Sequence, residues 1–121
     1  MLTHAQALIP LAAIPEFDAA LDRSKTRPIL IFKHSLTCGT SAYAFEEIQA
    51  LLAQPSLAVD VYLVDVRAHR AVSNAIAARL HVRHESPQVL LIADGTVRWQ
   101  ATHFRVTADA IAAAIASSPH S

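Results

Sequence analysis

Pro28-Ile29-Leu30-Ile31-Phe32 opens a run that passes through Lys33-His34-Ser35-Leu36-Thr37 and Cys38-Gly39-Thr40-Ser41 into Ala42-Tyr43-Ala44-Phe45-Glu46-Glu47-Ile48-Gln49-Ala50-Leu51-Leu52. The opening is apolar at every position after the proline, the pattern of a central strand covered on both faces. The closing part has helical spacing. Ser41, Phe45, Ile48 and Leu52 fall four, three and four apart, a stripe that would face the sheet and leave Glu46, Glu47 and Gln49 outside. Cys38, the only cysteine, falls where strand gives way to helix. The first N–H groups of a helix lack intrahelical partners and the macrodipole is positive there. A thiolate at that point is stabilised, so the spacing predicts a nucleophile available near neutral pH.

Outward from this run the chain alternates. Residues 1–13 have no clear period and read as a lead-in. Residues 15–24 read as a helix started by Pro15, with Ile14, Phe17 and Leu21 on one docking face. After Gln54-Pro55-Ser56 ends the second helix, residues 59–66 form a second apolar strand. A strand–helix–strand unit of this length implies parallel pairing and a right-handed crossover. Residues 67–80 make the next helix, with Val72, Ile76 and Leu80 inward. After a loop, residues 88–93 make a third strand, and Asp94-Gly95 turns it tightly into a hairpin partner at 96–101. Thr107 is placed to cap a last helix at 108–116, with Ile111 and Ile115 inward. Residues 117–121 form a polar tail. The order is α-β-α-β-α-β-β-α: one three-layer α/β domain over residues 1–121, with a mixed four-stranded sheet flanked by helices.

Composition narrows the function. The 121 residues are 53% hydrophobic, enough for one packed core. Ten basic residues balance ten acidic ones without a basic cluster, so neither nucleic acid nor an anionic membrane is an expected partner. The apolar run at 7–14 is broken by Pro10 and follows no Lys or Arg, unlike a signal peptide. A lone cysteine cannot form an internal disulfide, which fits a reducing cytoplasm. With Gly39 and Gly95 the only glycines, P-loop and dinucleotide fingerprints are excluded. His81-x-x-His84 together with Cys38 suggests zinc on paper, but seven scattered histidines do not make a ligand set, and no metal site or bound cofactor is expected. Lys33 and His34 could bring positive charge near the thiolate, though solvated strand-end residues are the default. Trp99 reads as cross-strand packing, and Arg70 and Arg79 as solvated helix residues.

The second chemical signal is Ser86-Pro87-Gln88 at the start of the third strand, where a proline is tolerated only as first residue or in a special loop. A Cys at a helix start with such a proline loop resembles the thioredoxin–glutaredoxin superfamily. Val82-Arg83, Pro87-Gln88-Val89 and the Asp94-Gly95 turn extend that likeness. A closer resemblance spans nearly the whole chain. Phe32-Lys33-His34-Ser35, Thr37-Cys38, Ser41, Ala44-Phe45-Glu46-Glu47, Val64-Asp65-Val66-Arg67, Ser73-Asn74-Ala75-Ile76-Ala77 and Val82-Arg83-His84-Glu85-Ser86-Pro87-Gln88-Val89-Leu90 are similar to the YtxJ family of monothiol bacilliredoxins. One departure is Gly39, where many members have proline.

The resemblance implies a thioredoxin-like fold with cis Ser86–Pro87 beside Cys38. It implies an oxidoreductase that removes bacillithiol, or a similar low-molecular-weight thiol, from S-thiolated client proteins, with a small thiol as co-substrate and reductant. Cys38 would be the nucleophile. Ser41, Thr37 and Gly39 would support the thiolate, and Thr40, Ser86, Pro87 and Gln88 would meet the small thiol. Two alternatives stay open. Cys38-Gly39-Thr40-Ser41 also resembles the Cys-Gly-Phe-Ser of monothiol glutaredoxins, which bind glutathione and a 2Fe–2S cluster. Those proteins carry a glycine turn ahead of the last helix, and residues 99–107 contain no glycine. The other alternative is a thioredoxin-like binding module whose Cys38 is not catalytic.

Overall fold

The structure is a computed structural model describing residues 8–35, 39–54 and 57–117. Its framework is a five-stranded sheet in the order β1-β3-β2-β4-β5. β1 is Leu8–Pro10, β2 Ile29–His34, β3 Asp60–Asp65, β4 Gln88–Ala93 and β5 Thr96–Thr102. Four helices accompany it: α1 (Ile14–Arg23), α2 (Gly39–Leu52), α3 (Arg70–Leu80) and α4 (Ala108–Ser117). β1, β3 and β2 run parallel, while β4 is antiparallel to both β2 and β5. The fold is thioredoxin-like, as the sequence implied, with one strand more. That strand comes from the expected lead-in: Leu8, Ile9 and Pro10 align with Val61, Tyr62 and Leu63 of β3. Three residues are too few for a period, so only the partner strand reveals this one.

Strand alternation sorts the core into two layers. On one face Leu30, Phe32, Val61, Val89 and Leu91 pack against Ala44, Ile48 and Leu51 of α2 and Ile111 of α4. On the other, Ile29, Ile31, Val64, Leu90 and Ile92 pack against Phe17 of α1 and Val72 and Ile76 of α3. The buried stripe of α2 is therefore Ser41, Ala44, Ile48 and Leu51, with Phe45 and Leu52 half-buried at its margin. In α1, Phe17 and Ala20 are buried while Ile14, expected inward, is 40% exposed at the helix start.

Local chemistry sets the boundaries. Asp65 Oδ1 accepts hydrogen bonds from the N–H groups of Arg67 and Ala68, holding a turn that delays α3 to Arg70. Asp94 (φ 56°) and Gly95 (φ 75°) make the hairpin turn with two left-handed residues. Its tip is pinned by Asp94 N–H to Ser24 O at 2.7 Å and Gly95 N–H to Ser24 Oγ at 2.9 Å. Arg79 is less free than expected of a solvated residue: it pairs with Asp18 at 2.8 Å and lies 5.7 Å from the Phe17 ring centroid.

At the start of α4, Thr107 Oγ1 accepts from Ala110 N–H at 3.1 Å, the expected cap. Glu47 of α2 adds a second acceptor, Oε1 to Ala108 N–H at 2.9 Å. One carboxylate thus ties the two helices on the same face. Glu47→Ala should lower unfolding free energy by about 1 kcal/mol, the usual effect of losing a helix cap. Urea titration of the two proteins checks it, and equal midpoints would show that the contact contributes nothing.

Candidate active site

β2 ends at His34 and α2 begins at Gly39, so chain position 38 immediately precedes a helix. Thr37, Cys38 and the Thr40 side chain lie outside the described residues. What surrounds that junction is described, and it is built from three directions.

Below the junction, Ser41 is fully buried and its Oγ accepts the N–H of Ser35 at 3.3 Å. This bond draws the first turn of α2 onto the end of β2. Gly39 is exposed, and a Cβ there would meet nothing within 4 Å. The departure from proline at this position therefore leaves open space beside the helix start.

Beside the junction comes the loop before β4. Ser86–Pro87 is a cis peptide, as the family resemblance implied. Lys33 pairs with Gln88 in the β2–β4 register, so Pro87 sits at the sheet end from which α2 departs. Pro87 O accepts His103 N–H at 3.0 Å, which ties the loop to the 3-10 turn His103–Arg105. Ser86 Oγ is buried with no hydrogen-bond partner among the described residues. Gln88 is fully buried, and its Nε2 donates to Arg83 O at 3.0 Å and Gln100 Oε1 at 3.2 Å. Its side chain braces the loop from inside.

The third direction is an aromatic rim. Phe104 is 69% exposed and Tyr43 37%, with ring centroids 5.6 Å apart. His103 holds φ 55° without being glycine, and its Nε2 stands 4.0 Å from Glu85 Oε1. The turn ahead of α4 is thus made by a bulky segment without glycine.

Lys33 and His34 overturn the expectation of solvated strand-end residues. Lys33 is fully buried and His34 is 6% exposed, because β2 is covered on both faces to its last residue. They point to opposite sides. Lys33 shares the α1/α3 face with Ile29 and Ile31, and its Nζ donates to His84 Nδ1 at 2.7 Å. Ser73 Oγ lies 3.3 Å from the same nitrogen. Burial pushes Lys33 down to about 8, while Glu85 works the other way. Desolvation, and then the Lys33 charge, lower His84, which keeps it a neutral acceptor. His34 sits on the α2 side between Phe32 and Phe45, 5.4 Å from each ring, and desolvation lowers its pKa as well. His84 is therefore occupied by Lys33, and no metal-holding group of His, Cys, Asp or Glu forms among the described residues.

The model of the monothiol bacilliredoxin BrxC family matches residues 9–111. The chain belongs to the monothiol bacilliredoxin family. Solved structures agree on the architecture. A candidate oxidoreductase with a thioredoxin fold is 29% identical, covers 88% of this chain and 92% of its own length, and superposes with TM-score 0.79. Thioredoxins from Halobacterium salinarum and Malassezia sympodialis superpose at 0.75 and 0.76, with identities of 18% and 13%. The first covers 100% of this chain and 98% of its own, the second 96% and 93%. Family and fold together make this bacilliredoxin a member of the thioredoxin-like thiol redox proteins.

Sequence reasoning missed the Lys33–His84–Ser73 cluster, whose members lie on β2, the proline loop and α3. It makes a pH-dependent contribution to stability. Lys33 releases its proton near 8 when folded, against 10.5 when unfolded. Between these values the unfolded chain holds more proton, so the folded state gains stability as pH rises, while below about pH 8 the full desolvation penalty remains. Lys33→Met removes this contribution. The stability of wild type relative to the variant should rise from pH 8 to 10.5, by at most about 3 kcal/mol. Urea titrations across that range measure it, and a flat difference would show that Lys33 is not a buried charge.

Proposed function

We propose that this protein removes bacillithiol, or a closely similar small thiol, from mixed disulfides on client proteins, using Cys38 as its only redox centre, in a reducing cytoplasm. The observation that carries the reading is the family match over residues 9–111, joined to a cis Ser86–Pro87 loop at the sheet end where α2 begins. The Cys38 thiolate attacks the sulfur of the small thiol within the adduct. The client's sulfur leaves as thiolate and takes a proton from water, and Cys38 is left in a mixed disulfide with the small thiol. A second small-thiol thiolate then attacks the small-thiol sulfur of that disulfide. Cys38 returns as thiolate, and the small thiol departs as its symmetrical disulfide.

Each neighbour has a part in this scheme. Ser41 occupies the place where a dithiol enzyme carries its resolving cysteine. Its hydroxyl cannot exchange, so an external thiol completes the cycle, and its O–H remains able to donate to the thiolate. Thr37, Gly39 and Thr40 frame the nucleophile. Ser86 and Pro87 hold the small thiol extended along the loop, β-strand fashion, with Gln88 fixing the loop from behind. The glycine-free turn at His103 and Phe104 favours this reading over the glutathione and cluster alternative, whose proteins carry a Gly-Gly or Gly-Ser turn there.

The decisive experiment offers proteins carrying bacillithiol, glutathione or coenzyme A adducts and follows by mass spectrometry which moiety moves to Cys38. Bacillithiol should transfer fastest, and Cys38→Ser should abolish transfer while leaving the fold intact. Turnover retained in Cys38→Ser would end the reading. Ser41→Cys tests the monothiol step. Residues three apart on a helix are neighbours, and a disulfide tolerates Cα separations of about 4.4–6.8 Å. After exposure to the oxidised small thiol, with no external thiol added, wild type should stop with one adduct on Cys38, whereas the variant should expel it and lose two hydrogens. Persistent adduct on the variant would show that Ser41 is not at the resolving position.

A further inference from the structure

A groove of roughly 550 Å³ runs along α2 on the side of His34, lined by His34, Ala42, Phe45, Glu46, Gln49, Leu63 and Asp65. Nothing in the proposed thiol exchange uses it. Its near end is Ala42, one turn beyond Gly39, so it leads away from the nucleophile's junction across the ends of β2 and β3. The walls are largely apolar: the Phe45 ring, Leu63 and Ala42.

Two of the polar groups on these walls, Glu46 and Asp65, are carboxylates that only accept, while Gln49 and His34 each offer both an acceptor and a donor. Asp65 has its carboxyl held below the usual carboxylate range, chiefly by the N–H of Ala68 and then by that of Arg67, so it is anionic throughout the physiological range. Glu46 stands exposed on α2, and the described residues that line the groove include no Lys or Arg. His34 is 94% buried, the complement of its 6% exposure, and desolvation keeps its ring neutral. Its Nδ1 is buried with no hydrogen-bond partner among the described residues. Two carboxylates, the Gln49 carbonyl and an aromatic face suit a cationic group rich in donors, and the His34 ring adds a polar nitrogen that needs a partner. Guanidinium has five N–H donors and no acceptor, and it stacks on aromatic rings.

We propose that this groove binds an arginine side chain of the thiolated client protein, giving the enzyme a preference for mixed disulfides flanked by arginine. The inference rests on the reading of the chain as an enzyme acting on protein adducts. It assigns the groove to the client, and leaves the small thiol to the Ser86–Pro87 loop. An anionic small thiol would meet two carboxylates here and be repelled.

Short peptides with one bacillithiol-blocked cysteine in a neutral background, and arginine or its uncharged isostere citrulline moved along the chain, provide the kinetic test. At the best position the arginine peptide should be reduced about two- to five-fold more efficiently in kcat/KM, the range of an exposed charge pair. Glu46→Lys should bring that ratio to one or below while leaving turnover of a small-molecule mixed disulfide unchanged. A second arm does not depend on turnover. Thiol-free arginine and citrulline peptides are titrated into Cys38→Ser protein and followed by amide NMR. The arginine peptide alone should shift Glu46, Gln49 and Leu63. If the peptides are not reduced but the arginine-dependent shifts appear, the proposed activity fails and the groove assignment stands. If reduction proceeds with no difference between arginine and citrulline at any position, or Glu46→Lys leaves the difference intact, the groove assignment is overturned.

Discussion

Every residue of β2, from Ile29 to His34, is buried, and the rest of the molecule follows from that constraint. A strand sealed on both faces needs a partner on each side and a layer of helices above and below. β3 and β4 supply the partners, α2 and α4 one layer, α1 and α3 the other. The sealing continues past the apolar residues to Lys33 and His34. The chain leaves the sheet at a point where two polar side chains have been taken out of water in opposite directions.

That departure point is where the chemistry belongs. Most buried polar groups are held by specific partners, and three bonds here join parts of the site to one another. Lys33 reaches His84, two residues before Ser86, so a charge inside the sheet anchors the proline loop from below. Ser35 gives its N–H to Ser41, which fixes the first turn of α2. Pro87 receives the N–H of His103, and that turn carries Phe104 onto Tyr43. The junction around position 38 is thus framed by bonds between elements that the sequence places up to half the chain apart.

Much of this was legible from residue pattern. The unbroken apolar run of β2, the Asp94-Gly95 hairpin and the Thr107 cap each rest on a local rule, and each is found. The cis bond at Ser86–Pro87 came from family likeness. What was hidden depends on partners. β1 exists because β3 offers an edge to Leu8–Pro10, not because of anything periodic in three residues. In α2, alanine is compatible with either face, so Ala44 took the place expected for Phe45. Lys33 reads as solvated by its type alone, and His84, its hydrogen-bond partner, lies 51 residues away. The groove beside His34 is invisible for the same reason, since its walls come from three separated segments.

The scarcity of glycine has a thermodynamic side. His81, Asp94 and His103 all adopt left-handed backbone angles with a side chain present, and Gly95 is the only glycine among the described residues to do so. Such a conformation costs a residue with a Cβ about 1–2 kcal/mol. Each of these residues also leaves the unfolded chain with fewer conformations than glycine would, which favours folding by about 0.4–1 kcal/mol. The first effect is the larger, so each such turn is a net cost that the packing around it must carry. A chain that turns on histidine and aspartate still starts from a stiffer unfolded ensemble, and gives up less entropy on reaching the native state.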